Sequence, residues 1–114
     1  MYIMNTLSKS LNDNGTERRY EYRVIKSSFL VRDFCNDEIE AYGIEVERKD
    51  LQLGKVFNLE RDIITKVSPQ INKVQALAEL LCENSVSPDN FVEILGEYVD
   101  EYTNDFDDAI KNIS

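Results

Sequence analysis

The sequence predicts an α+β fold: a three-stranded antiparallel meander followed by two packed helices. Three observations predict it. Apolar residues alternate with period two between residues 18 and 64, the spacing turns helical after Ser68, and a Ser-Pro pair opens each helical stretch. The 114 residues suffice for one domain with one modest core. The expected division is a flexible or docked tail over residues 1 to 17 and a single α+β domain over 18 to 114, ending in an acidic helix.

The tail, MYIMNTLSKSLNDNGTE, passes from an apolar start into Ser, Asn, Asp and Gly. Tyr2, Ile3, Leu7 and Leu11 have roughly helical spacing in a segment too short and polar to stand alone. Asn14 and Gly15 mark a turn or tether. A frayed tail is the expectation, with a short docked helix or strand as its alternative.

Arg18 to Phe34 opens the sheet: Tyr20, Tyr22 and Val24 share one face, and Phe29 and Val31 continue one register out. A β-bulge near Ser27 and Ser28 would reunite the two halves on one face; without it the strand must divide. Cys35, Asn36 and Asp37 make a hairpin the simplest connection to Glu38–Arg48, where Tyr42, Ile44 and Val46 oppose Glu45 and Glu47. Lys49 to Gly54 supplies a turn, and Val56 to Ile64 the third strand, with Phe57, Leu59 and Ile63 as its apolar face. Such a meander needs cover on one face, and the helices provide it.

In the first helix, Ile71, Val74, Leu77, Ala78 and Leu81 trace a stripe; in the second, Phe91, Ile94, Leu95, Tyr98, Tyr102, Phe106 and Ile110 do. Serine at the N-cap and proline at the first helical position fit both starts, Ser68-Pro69 and Ser87-Pro88. Replacing a buried Leu77 or Leu81 by alanine costs about 2 to 5 kcal/mol. The second helix, with Val92, Val99 and Ile113 added, carries more apolar surface than one stripe needs. Either the tail covers it, another chain does, or Thr103 and Asn104 end the helix early.

Thirteen basic against 22 acidic residues give a net charge of -9, which opposes non-specific contact with nucleic acid or an anionic membrane. Residues 88 to 114 hold eight acids and one base, suiting a solvated helix face or a basic partner. Two cysteines with 46 residues between them match neither a redox pair nor a zinc site and read as reduced thiols of a cytoplasmic protein. Neither a secretory leader nor a spanning segment is expected.

The segments YEYRV (20–24), AYGIEV (41–46), RDIITKVS (61–68) and VSPDNFVEIL (86–95) resemble an uncharacterised family of small proteins from clostridia and related spore-forming Firmicutes. The resemblance covers most of residues 20 to 102 and implies a cytoplasmic bacterial protein; it transfers no catalytic motif.

The chemistry points away from an enzyme. With no histidine, Ser-His-Asp and Cys-His arrangements cannot form within the chain. Cys82 lies beside Glu83, which disfavours a thiolate, and Cys35 has no evident activating base. Glu93, Glu97, Asp100 and Glu101 bring carboxylates together on adjacent turns without a calcium-loop sequence, and Gly15, Gly43, Gly54 and Gly96 form no phosphate or dinucleotide loop. No cofactor and no metal are expected. Arg18, Arg19 and Arg23 interleaved with Tyr20 and Tyr22 supply one local argument for nucleic acid, which the overall charge opposes. The expectation is a small protein-interaction or regulatory adaptor, with Tyr98, Tyr102, Phe106 and Ile110 as contact residues, or else a structural homodimer joined through the second helix.

Overall fold

The computed structural model describes residues 1–31 and 37–113. Its sheet has four strands, not three: β1 (Tyr2–Asp13), β2 (Thr16–Val31), β3 (Asp37–Gln52) and β4 (Lys55–Ser68) in the antiparallel order β1-β2-β3-β4. Two helices follow, α1 (Ile71–Glu83) and α2 (Pro88–Ile113). The added strand is most of the expected tail. Ile3, Leu7 and Leu11 recur every four residues, a step shared by one helix face and one strand face, so their spacing could not separate the two. Asn14 and Gly15 decide it: both take positive φ (50° and 86°) and close a two-residue hairpin that sets β1 against β2 from Asp13↔Thr16 onward. Leu53 and Gly54 (φ 52° and 77°) close the β3–β4 hairpin in the same way, so β3 runs beyond the expected Arg48 and the turn is two residues long.

Four strands in register lay their inward side chains in rows. Asn5, Val24, Ile44 and Ile64 form one row, and Leu7, Tyr22, Val46 and Asp62 the next. Lys9, Tyr20, Arg48 and Glu60 follow, then Leu11, Arg18, Asp50 and Asn58. The inner face thus changes from apolar to charged toward the two tight hairpins. Tyr20, Tyr22, Val24, Ile44 and Val46 are buried beneath Val74, Leu77, Ala78 and Leu81 of α1 and Phe91 and Leu95 of α2. Each fully buried Leu or Phe contributes about 1.5–3 kcal/mol. The α1 stripe and Phe91, Leu95, Tyr98 and Tyr102 of α2 thus lie in or against the core, whereas Ile94 and Val92 are exposed and Phe106 and Ile110 lie outside that cluster.

β2 neither bulges nor divides near Ser27 and Ser28: its pairing with β3 is regular from Thr16↔Gln52 to Val31↔Asp37. The apolar residues one register out stay on the second face, where Ile25 and Ala41 are buried. The irregularity that shields them lies in β4, where Ile64 pairs with Ile44 and Ser68 with Tyr42, leaving three residues opposite Gly43. A Cβ on Gly43 would stand 2.1 Å from the Ile64 carbonyl oxygen. Ser27 Oγ donates to the Thr65 carbonyl (3.4 Å), and Phe29 meets Lys66 and the edge of Phe106. The third-strand reading is also corrected: Phe57, Leu59 and Ile63 are exposed, and Ile64 and Val67 supply the contact with the core. The proposed turn at Cys35 and Asn36 lies outside the described residues.

At the helix starts, α1 begins two residues late. Ser68 ends β4, and its hydroxyl accepts from the Gln70 amide at 3.0 Å, while Gln70 occupies the N-cap without a side-chain cap. Pro88 is the first residue of α2, as expected. α2 continues through Thr103 and Asn104 to Ile113. The tail does not cover it: β1 packs beside α1, and α2 lies on β3 and β4. Lys9 ties β1 to α1, its Nζ donating to the carbonyls of Cys82 (3.2 Å) and Glu83 (3.0 Å), a cation at the negative end of a helix.

Gly43→Ala should lower unfolding stability by about 3 kcal/mol or more, because the added methyl meets backbone that cannot rotate away. Urea denaturation measures it; a loss under about 0.5 kcal/mol, the level of an ordinary surface change, would contradict the crossing of β4 over Gly43.

Candidate functional site

The site is built at the boundary between the apolar and charged rows. α1 packs chiefly on β2 and α2 chiefly on β4, so the two helices are set apart across the sheet. Between them is a cleft of about 460 Å³, within the range of ligand pockets. Leu77, Leu80 and Leu81 form one wall, Ile94, Leu95 and Tyr98 the other, and Tyr20 the floor. Leu80 (40%) and Ile94 (39%) are exposed at its lips, an apolar pair facing open space.

Its closed end is made by the α1–α2 connection. Asn84 caps α1, and Ser85 takes φ 51°, the left-handed conformation usual after a helix. The Ser85 amide reaches the Cys82 carbonyl (3.1 Å) and the Val86 amide the Leu81 carbonyl (3.0 Å), while buried Val86 and Leu81 supply the accompanying apolar contact. Tyr22 then donates its hydroxyl to the Val86 carbonyl at 2.8 Å, fastening the connection to the sheet. At the other end of the helix pair, Lys73 on α1 meets Asp105 on α2 at 2.7 Å, and Ser68 Oγ lies 3.4 Å from the same carboxylate oxygen. The separation of the helices is therefore held at both ends.

Arg18 and Arg48 bring charge to the cleft. Arg48, 12% exposed, pairs with Glu60 at 2.9 Å, and its Nε lies 3.2 Å from Asp50 Oδ1. Asp50 also accepts from Asn58 at 3.0 Å. The Nε atoms of Arg18 and Arg48 are buried with ion-pair partners at hand but no aligned hydrogen bond. With Asn84, Ser85, Ser87 and Asn90 on the rim, the cleft combines apolar walls with a polar end that retains donor capacity.

Of the residues expected to make contacts, Tyr98 lines the cleft. Tyr102 lies beside it with ring centres 6.4 Å apart, packs against the core and carries Lys73 over its face. Phe106 is half-buried against Phe29, and Ile110 is half-buried further along α2. The structure thus places Tyr98 in the cleft and spreads the other three along the chain's own packing. Sequence reasoning missed Arg18, Arg48 and Leu80 as partners of Tyr98. Tyr20 and Tyr22 are buried and stacked 6.3 Å apart; Arg18 shares their sheet face, while Arg19 and Arg23 project from the opposite one. Cys82 is a half-buried free thiol. Among the described residues no three His, Cys, Asp or Glu side chains gather as a metal site, and no helix is long and apolar enough to cross a membrane.

Burial pushes the Tyr22 phenol well above its ordinary value of 10.0, with Cys82 and Tyr20 adding to the rise. The folded state holds this proton more tightly than the unfolded chain, so the contribution is complete below pH 10 and fades as pH rises through the folded value. Tyr22→Phe should cost about 1–2 kcal/mol at neutral pH, by leaving the Val86 carbonyl without its donor, and should flatten the alkaline loss of stability. Chemical denaturation at pH 7 and above pH 10 measures both; an unchanged alkaline slope would place its origin elsewhere.

No curated protein and no solved structure matches the chain. The model of a family of unknown function (DUF6514) matches residues 1–101, a span that includes all four strands, α1, the first half of α2 and every cleft residue; the chain belongs to that family.

Proposed function

We propose that this protein is a small protein-interaction or regulatory adaptor, acting in the cytoplasm of a spore-forming Firmicute, and that the cleft receives an apolar side chain of its partner. The observation that carries this reading is the pair of exposed lips, Leu80 and Ile94, above a buried floor and walls. An apolar side chain entering there is removed from water on three sides, and each buried methylene contributes about 0.8 kcal/mol. Arg18 is the more exposed of the two arginines (42% against 12%) and lies 3.9 Å from Asp50, which leaves it free to turn toward a carboxylate or carbonyl of the incoming segment. The rim asparagines and serines supply hydrogen bonds to a partner's backbone. Tyr98 is the contact residue in this arrangement, and Tyr102 supports it from behind.

Selection of peptides from a random displayed library against the full chain tests the reading. Selected peptides should share one large apolar residue and lose at least tenfold in affinity, about 1.4 kcal/mol, against Leu80→Glu and Ile94→Glu. Both positions are exposed, so circular dichroism and thermal unfolding should be unchanged. Peptides that bind the two variants as well as the parent would place the interaction outside the cleft.

A further inference from the structure

The second face of the sheet divides into two halves. Near Gly43 it is covered by the β4 crossing and by Phe106. Toward the two tight hairpins no described element lies over it. There the register sets Val56 beside Leu51, Leu59 beside Lys49 and Ile63 beside Glu45, with Phe57 at the bulge between Val56 and Asn58. Val56, Phe57, Leu59 and Ile63 are 50%, 59%, 47% and 36% exposed, an apolar strip along one strand that Arg61 interrupts between Leu59 and Ile63. The charges next to it are paired among themselves. Arg23 pairs with Glu21, with Glu45 at 2.8 Å and with Glu47 at 3.6 Å. Glu47 also takes Arg61 at 3.1 Å and Lys49 at 3.6 Å, and Arg19 takes Glu17 at 3.0 Å.

From this we infer that the uncovered half-face is a self-association surface, on which two copies pack sheet against sheet with their helices outward. Charge selects the occupant. The chain carries -9, and residues 88 to 114 account for eight acids against one base, all on the helix layer behind the sheet. The half-face holds four acids and four bases in mutual pairs, Glu17, Glu21, Glu45 and Glu47 with Arg19, Arg23, Lys49 and Arg61. It is therefore a surface that two acidic copies can bring together without mutual repulsion, and it offers no net charge to select a basic or acidic stranger. A two-fold axis running across the strands lays one β4 strip antiparallel on the other, apolar against apolar. Four strands about 4.8 Å apart over about ten residues give a footprint of about 600 Å² per copy. The pair then buries about 1,200 Å², the lower bound of a stable specific interface, which makes the dimer concentration-dependent.

Light scattering on the full-length protein, eluted from a sizing column across a concentration series, tests this. The expected result is a mass rising from monomer to dimer. Phe57→Asp and Leu59→Arg should each weaken the dimer at least tenfold, with circular dichroism and thermal unfolding of the monomer preserved because both side chains project into solvent. Ile94→Glu, on the helix layer, should leave the mass curve unchanged, which separates this surface from the cleft. A monomer throughout the series, or a dimer that survives both β4 substitutions, would overturn the inference.

Discussion

Strand length is the constraint on which the rest of the molecule depends. Sixteen residues of β2 or β3 extend about 50 Å, and the long axis of the molecule is 56 Å. Thirteen residues of α1 reach about 20 Å and 26 residues of α2 about 39 Å. One short helix and one long helix cannot cover the inner face of such a sheet. The chain meets the mismatch by changing what the inner face is made of. Its rows are apolar where both helices lie over them and charged where cover runs out, so Arg48, Asp50, Asn58 and Glu60 pair with one another in place of a roof. The cleft forms at that boundary, where apolar walls and guanidinium groups meet.

The cleft is bounded by one anchor at each end of the helix pair. Val86 is held from below by Tyr22 and from within by the reverse turn that ends α1. Asp105 joins α2 to Lys73 and Ser68 where β4 passes into α1. Neither anchor uses the residues lining the middle of the cleft, so Leu80 and Ile94 can stay exposed without loosening the fold. A left-handed Ser85 in place of glycine is a local cost of order 1 kcal/mol, offset by the two backbone bonds that the turn closes and by burial of Val86.

Period and punctuation made most of the inner face legible. Tyr20, Tyr22 and Val24 opposite Tyr42, Ile44 and Val46 could be placed on one face by alternation, and the α1 stripe by its spacing. The first strand stands only as the alternative to a frayed tail because a four-residue repeat serves both periodicities, and the Asn14-Gly15 pair that distinguishes them reads equally as a turn or a tether. The face of β4 was misplaced for a tertiary reason. Phe57, Leu59 and Ile63 make the more apolar alternation, but the bulge at Phe57, between the Leu51–Val56 and Asp50–Asn58 pairs, shifts the register set by the Leu53-Gly54 hairpin and points them away from the helices. In the cleft, Tyr98 was visible as part of an aromatic stripe. Arg48 and Leu80 were not, since one carries no pattern and the other lies off its helix stripe until the packing of both helices on the sheet brings them to one opening.

Polar residues at inward strand positions and apolar residues at outward ones are two consequences of the same register. Shifting β4 by one residue would bury Phe57, Leu59 and Ile63 beneath α2 and send Asn58, Glu60 and Asp62 to solvent. It would also strip Asp50 of Asn58 and Arg48 of Glu60, leaving buried charge without its partners. The observed register keeps that polar cluster paired and leaves the apolar strip on the outside. Sheet-on-sheet packing of two copies would remove that strip from water while the clefts, on the opposite side of each sheet, stay accessible. Two clefts joined in this way would engage a repeated or dimeric partner with an effective concentration that a single cleft lacks. The register that closes the inner face thus also supplies the apolar strip of the proposed pairing surface.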